Sequence, residues 1–160
     1  MGSYFTPLND FEENCERTLA TLRIYPGEMT PLEVTEVIGL TPTSSVVKGE
    51  RITADTPGQF RTGKLNGWFL SSEGFVDSKD LRRHLDWLLT KLEGCANGLK
   101  ELQRRSGVRM CVYCIWWSRY GGGGPNLWPA QMRSLAALDL ECCFDFQYYG
   151  VKRDVCQEEL

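Results

Sequence analysis

The chain has 160 residues, 42% hydrophobic and 11% aromatic, enough to bury one core and a usual length for one domain. Its 18 Lys and Arg stand against 21 Asp and Glu, a net charge of -3, and the basic residues are scattered rather than gathered into a stripe. That balance gives no electrostatic case for nucleic acid, and no apolar run approaches the ~20 residues of a membrane-spanning helix.

The opening MGSYFTPLNDFEEN lacks the basic-then-apolar order of a secretion signal. Gly2 and Thr6 fit the short N-myristoylation pattern, but nothing polybasic follows as a second anchor. The expectation is a cytoplasmic single-domain protein spanning residues 1–160, with no nucleic-acid or membrane partner. Cysteines number seven, an odd set expected to be reduced thiols.

TLATLRIYP alternates as a strand, with Ala20, Leu22 and Ile24 on one face, closed by Pro26 and Gly27. TPLEVTEVIGL carries a complete helix start: Thr30 as cap, Pro31 at the first helical position, Glu33 completing a capping box and Gly39 as the stop. A short strand near Ser45 to Lys48 precedes GERITADTPGQFRTGKLNG, a polar stretch longer than the ~12 residues usual for an unstructured connection and so expected to be mobile or functional. WFLSS resumes as a strand.

Leu81, Leu85, Leu88, Leu92, Leu99 and Leu102 then recur at helical spacing, predicting one long amphipathic helix from about Lys79 to Arg104 capped by Asp77 or Ser78. Gly94 and Gly98 either permit close packing of that helix or mark a break in it. VRMCVYCIWWS is apolar on both faces, as in a central strand covered on both sides. After four glycines, Pro129 opens a helix with Met132, Leu135 and Leu138 on one stripe. The final strand, LECCFDFQYYG, turns Leu140, Cys142, Phe144, Phe146 and Tyr148 to one face.

The strand-helix-strand passages are expected to be right-handed crossovers between parallel strands, and the polar stretch to join an antiparallel pair. Together these elements predict an α+β fold, a ferredoxin-like βαββαβ core with an appended helix and strand, about five strands and three helices in all.

No catalytic set assembles from these residues. Cys111 and Cys114 make the pattern C-x-x-C, yet residues three apart in a strand face opposite ways, and one histidine cannot complete a tetrahedral metal site. Packing is the better reading of both, and neither metal nor cofactor is expected. Cys143 with His84, the lone imidazole, is the one conceivable thiol-base pair, though His84 lies at the edge of a packed helical face. Glu141 and Asp145 share a strand face about 13 Å apart, beyond the spacings of glycoside hydrolysis. Ser71 and Ser72 follow a strand without the glycines of a nucleophile elbow.

WWSRYGGGGPNLWP, residues 116–129, holds the best candidate site. Its strand-to-helix context suits an anion, but the lysine and hydroxyl of a phosphate loop are missing after the glycines. Trp116 is assigned to the core. Trp117, Arg119, Tyr120, Gly122, Gly123 and Trp128 form the predicted partner-binding surface, joined by Phe60 and Arg61 of the polar stretch. The predicted function is a non-enzymatic protein-interaction module. The rival is a small-ligand or anion-binding protein or enzyme using the Gly121–Gly124 loop, with Arg119 assisting.

YFTPL, LRIYPGEMTPLEVTEVIGLTPT, KGE, GWFLSSEGFVDSKDLRRHLDWLL and WWSRYGGGGPNLWPAQMRSLAALDLECCFD together resemble a bacterial family known as domain-of-unknown-function family 4279. The family pattern places a small polar helix cap where this chain has Trp128. The resemblance implies a small bacterial α+β protein and carries no activity, cofactor or catalytic residue. By analogy with other small families of this style, it raises the expectation of an immunity protein or inhibitor that neutralises a partner toxin.

Overall fold

Local capping chemistry sets the first helix, α1, at Pro31–Ile38. The Glu33 N–H donates to Thr30 Oγ1 at 3.3 Å, the Thr30 N–H donates to the Glu33 carboxylate at 2.7 Å, and Gly39 closes the helix at φ 75°. A computed structural model describes residues 4–53, 56–148 and 150. Gly2, Cys156 and Tyr149, the last of these within the final predicted strand, lie outside the described residues.

The strands are β1 Cys15–Tyr25, β2 Ser44–Val46, β3 Arg51–Thr53, β4 Phe60–Thr62, β5 Gly67–Ser71, β6 Arg109–Ser118 and β7 Cys142–Tyr148. The remaining helices are α2 Leu81–Lys91, α3 Ala96–Gln103 and α4 Pro129–Ala137. The fold is thus mixed α+β, with more elements than the five strands and three helices expected. Two local features account for the excess. The polar stretch folds as an antiparallel β3–β4 hairpin rather than a loop, and Gly94, at φ 82°, breaks the long helix into α2 and α3. Gly98 meets the other expectation, because a Cβ there would lie 2.5 Å from the Val37 carbonyl oxygen, so its bare backbone lets α3 close on α1.

The main sheet runs β2-β5-β1-β6-β7. β1 is antiparallel to β5 and β6, β2 is antiparallel to β5, and β7 is parallel to β6. The polar stretch therefore joins an antiparallel pair, as expected. Of the strand-helix-strand passages only β6-α4-β7 joins adjacent parallel strands; β5 separates β1 from β2, and β1 separates β5 from β6.

The four helices among the described residues serve one face. α2 lies on β1 and against α4, while α1 packs on α3 and touches β5. Between them sit Ala20, Leu22, Ile24, Trp68, Leu70, Val112 and Cys114 of the sheet and Leu81, Leu85, Leu88 and Leu99 of the helices. Each buried leucine contributes about 1.5–3 kcal/mol. Asp80, not Asp77 or Ser78, caps α2 by accepting from the Arg82 N–H at 3.1 Å.

β6 is covered on one face only, contrary to the reading from its composition. Val112, Cys114 and Trp116 are buried, whereas Cys111, Tyr113, Ile115 and Trp117 are half-buried on the opposite side. The stripe of α4 also differs: Gln131 and Leu135 are buried and Met132 is exposed. Among the described residues, no helix is long and apolar enough to cross a membrane.

Candidate functional site

Cross-strand register assembles the helix-free face of the sheet. Arg17 pairs with Trp117, Thr21 with Tyr113, and Arg23 with Cys111 and Phe69. Residues directly opposite share a face. Three arginines lie over aromatic rings there: Arg17 is 4.8 Å from the Trp117 ring centroid, Arg23 is 3.4 Å from that of Tyr113, and Arg109 is 5.8 Å from that of Tyr25. Stacks of this kind hold flat guanidinium groups against π faces while leaving their outer surfaces open.

The face also carries Asp145, which accepts the Tyr113 hydroxyl at 2.5 Å. That bond lowers the Asp145 pKa and raises that of Tyr113, since it favours the charged acid and the neutral phenol. Arg17 also pairs with Glu73. At the far end, the β3–β4 hairpin forms a groove of about 500 Å³ with Tyr25, Phe69, Val46, Ile52 and Leu65.

The glycine loop leaves this face at Ser118. Ser118 Oγ donates to the Gly122 carbonyl at 2.8 Å, and the Arg119 N–H donates to the Asn14 carbonyl at 2.8 Å. Gly121 and Gly123 adopt φ near 80° (79° and 80°), which a side chain would strain, and a Cβ at Gly123 would also press on Asn14 at 3.0 Å. The loop is therefore fastened to the start of β1. Glu16, skipped where the register shifts between Cys15 and Arg17, holds Arg119 with its carboxylate at 2.9 Å. As an anion site the loop would have to share that guanidinium.

Trp128 has a structural task of its own. It stands at the start of α4, where Gln131 Oε1 accepts the Trp128 N–H at 2.7 Å, and its indole Nε1–H donates to the Thr6 carbonyl at 3.0 Å. Arg82, buried beneath it with its guanidinium 4.7 Å from the ring centroid, donates to the carbonyls of Thr6 and Pro7 at 2.7 and 2.8 Å and to both oxygens of buried Asp80. Burial would raise the Asp80 carboxyl, but the bonds from the Arg82 side chain and from the Asn9 and Arg82 N–H groups together hold it below its usual value. Trp128, Arg82 and Asp80 thus clamp the segment that precedes β1.

The predicted site residues consequently fall in three places. Trp117 and the loop residues Arg119, Tyr120, Gly122 and Gly123 are contiguous, and Tyr120 is exposed. Trp128 belongs to the clamp on the helix side. Phe60 and Arg61 are exposed on β4, where Arg51 lies over the Phe60 ring. Arg61 lines the hairpin groove at the Tyr25 end of β1, eight residues from Arg17 and so about 26 Å along the strand from the Trp117 pair.

His84 and Cys143 do not meet. Cys143 pairs in register with Tyr113 on the helix-free face, whereas His84 points from α2 into the core. Ser72 Oγ sits 2.8 Å from His84 Nδ1, and His84 Nε2 lies 2.8 Å from the Ser78 carbonyl. The carbonyl requires a hydrogen on Nε2, so Nδ1 accepts from the serine hydroxyl. Ser72 also accepts the Ala20 N–H at 3.0 Å and is wholly buried, which makes the pair a brace joining β1, β5 and α2. Sequence reading missed this pair, whose only local signal was a small hydroxyl residue ending a strand.

The C-x-x-C cysteines do face opposite ways, Cys111 with Tyr113 and Trp117, Cys114 into the core. Desolvation pushes the Cys111 thiol up to about 11; Cys114 is raised by a 3.8 Å contact with Cys142 and by burial.

Residues 14–149 match the family model described as Domain of unknown function (DUF4279). The chain belongs to this family. Comparison with curated proteins and with solved structures gave no match. The family match includes the whole helix-free face and the glycine loop, while Thr6 and Pro7, the segment gripped by the Trp128 clamp, precede it.

Proposed function

We propose that the protein is a non-enzymatic interaction module that binds a protein partner through the helix-free sheet face around Trp117 and Tyr113, together with the loop residues Arg119, Tyr120, Gly122 and Gly123. The observation that carries this reading is the row of arginine-aromatic stacks, Arg17 on Trp117 and Arg23 on Tyr113, on a face that no helix among the described residues covers. Trp, Tyr and Arg are the residue types that dominate interface energetics, and rings already flanked by arginine lose little freedom on binding. Within this reading the partner is a toxin that a bacterial immunity protein or inhibitor neutralises in the cytoplasm.

We also read the core as a ferredoxin-like βαββαβ unit enlarged by the hairpin and by β7. The order β2-β5-β1-β6 and the antiparallel pairing at its three junctions support that reading.

The test is co-expression with toxin candidates encoded beside the gene. Wild type restores growth and co-purifies with one of them, and Trp117→Ala with Tyr113→Ala abolishes both effects in a protein that still folds. Rescue undiminished by the double substitution would reject this face. A thermal shift with nucleotides or phosphorylated metabolites, abolished by Arg119→Ala, would instead favour small-ligand binding.

A further inference from the structure

The two edges of the main sheet differ. β2 is three residues long, whereas β7 presents seven residues, Cys142–Tyr148, with no proline and no lysine among them. Among the described residues, no strand pairs with the outer side of β7. The one charged side chain in β7, Asp145, stands on the helix-free face, where it accepts from the Tyr113 hydroxyl and from Gln147 Nε2.

Phe144 and Phe146 stand in a row on the helix side, 41% and 59% exposed, with ring centroids 6.3 Å apart. The sequence pattern placed these rings on one face with Leu140 and Cys142. They stay exposed because the covering element, α4, ends at Ala137 and buries only Gln131 and Leu135, and the glycine loop reaches only their rim, a Cβ at Gly124 lying 3.6 Å from the Phe146 ring.

Backbone polarity follows from the ladder. Val112 N–H donates to the Glu141 carbonyl at 2.8 Å, so the odd-numbered residues of β7 turn their N–H and C=O groups toward β6. Phe144 and Phe146 turn theirs outward.

We infer that β7 pairs antiparallel with β7 of a second copy of this chain, about a twofold axis at Phe146, joining two five-stranded sheets into one of ten strands. Charge favours that register over the neighbouring one. An axis at Asp145 would set two carboxylates directly opposite each other. An axis at Phe146 sets Asp145 opposite Gln147, Phe144 opposite Tyr148, and Phe146 against itself as a pair exchanging both backbone hydrogen bonds. The isologous contact covers the aromatic row from both sides and carries two partner-binding faces on one continuous sheet.

The experiment measures mass in solution by light scattering on the full chain without any partner, at about 100 µM, well above the Kd of a µM-range self-association. Wild type is expected at twice 18.2 kDa, and Phe146→Lys at 18.2 kDa with an unchanged far-ultraviolet spectrum. Gln147→Asp, which sets carboxylates opposite each other, raises the dimer Kd, and Gln147→Lys lowers it; these variants keep the test decisive should Phe146→Lys fail to fold. A monomeric wild type overturns the proposal and leaves the edge to a strand of another protein. A dimer equally tight in all variants places the contact elsewhere and also overturns it. Neither result bears on the toxin rescue above.

Discussion

Arg82→Ala should be the most damaging single substitution outside the apolar core. Arg82 is 1% exposed, and its guanidinium makes two bonds to Asp80 at 2.9 and 2.6 Å and two to the backbone of Thr6 and Pro7. Removing it leaves a buried carboxylate without its cation, the Pro7 carbonyl without the Arg82 donor, the Thr6 carbonyl with only the Trp128 indole, and the Trp128 ring without its underlying cation. Breaking a buried pair from one side costs about 3–5 kcal/mol, a large part of the ~5–15 kcal/mol by which domains are stable.

Asp80 keeps its bonds from the Asn9 and Arg82 N–H groups, so the loss should fall within that range rather than above it. Urea unfolding followed by tryptophan fluorescence measures the change through the midpoint at constant slope. Arg82→Lys should recover only part of the loss, because an ammonium cannot span both Asp80 oxygens. Arg82→Ala within 1 kcal/mol of wild type would refute the clamp.

Gly98→Ala should destabilise the fold by about 1–3 kcal/mol despite the higher helix propensity of alanine, because the new Cβ meets backbone at 2.5 Å and backbone cannot step aside; a raised melting temperature would contradict this. His84, whose pKa burial lowers from 6.5, is neutral in the fold and charges more readily once unfolded. Its contribution is therefore complete above about pH 6.5, is lost as the pH falls from there toward the lowered folded value, and levels off below it. Unfolding midpoints across pH 4 to 8 should show that loss, reduced in His84→Asn. Gly123→Ala should loosen the loop's attachment at Asn14 and cost about 1–2 kcal/mol through its positive φ, read by the same unfolding assay.

What could be read in the sequence was what neighbouring residues decide. The capping box of α1, Pro129 at the start of α4 and the opposite-facing Cys111 and Cys114 all follow from spacings of a few residues. The break at Gly94 and the close approach at Gly98 were legible only as alternatives, since deciding between them requires Val37, 61 positions earlier.

The hairpin was missed because each of its strands is three residues long and mostly exposed, so no apolar alternation marks it. The clamp role of Trp128 was not legible because its acceptor, the Thr6 carbonyl, is 122 residues away. Alternation in β7 and double-sided apolarity in β6 identified faces correctly but not coverage, which depends on where α4 ends for β7 and on the helices all lying on one face for β6. Trp117 was singled out from its sequence setting, whereas the arginine that stacks on it comes from β1 through a register that only the assembled sheet reveals.

The central claim rests most directly on the affinity of the partner identified by toxin rescue for wild type and for Trp117→Ala, measured by calorimetry with circular dichroism confirming that both fold. A residue at the centre of the interface should be worth at least about 2 kcal/mol, so the account predicts a rise in Kd of about thirtyfold or more. An affinity unchanged within about twofold would contradict it.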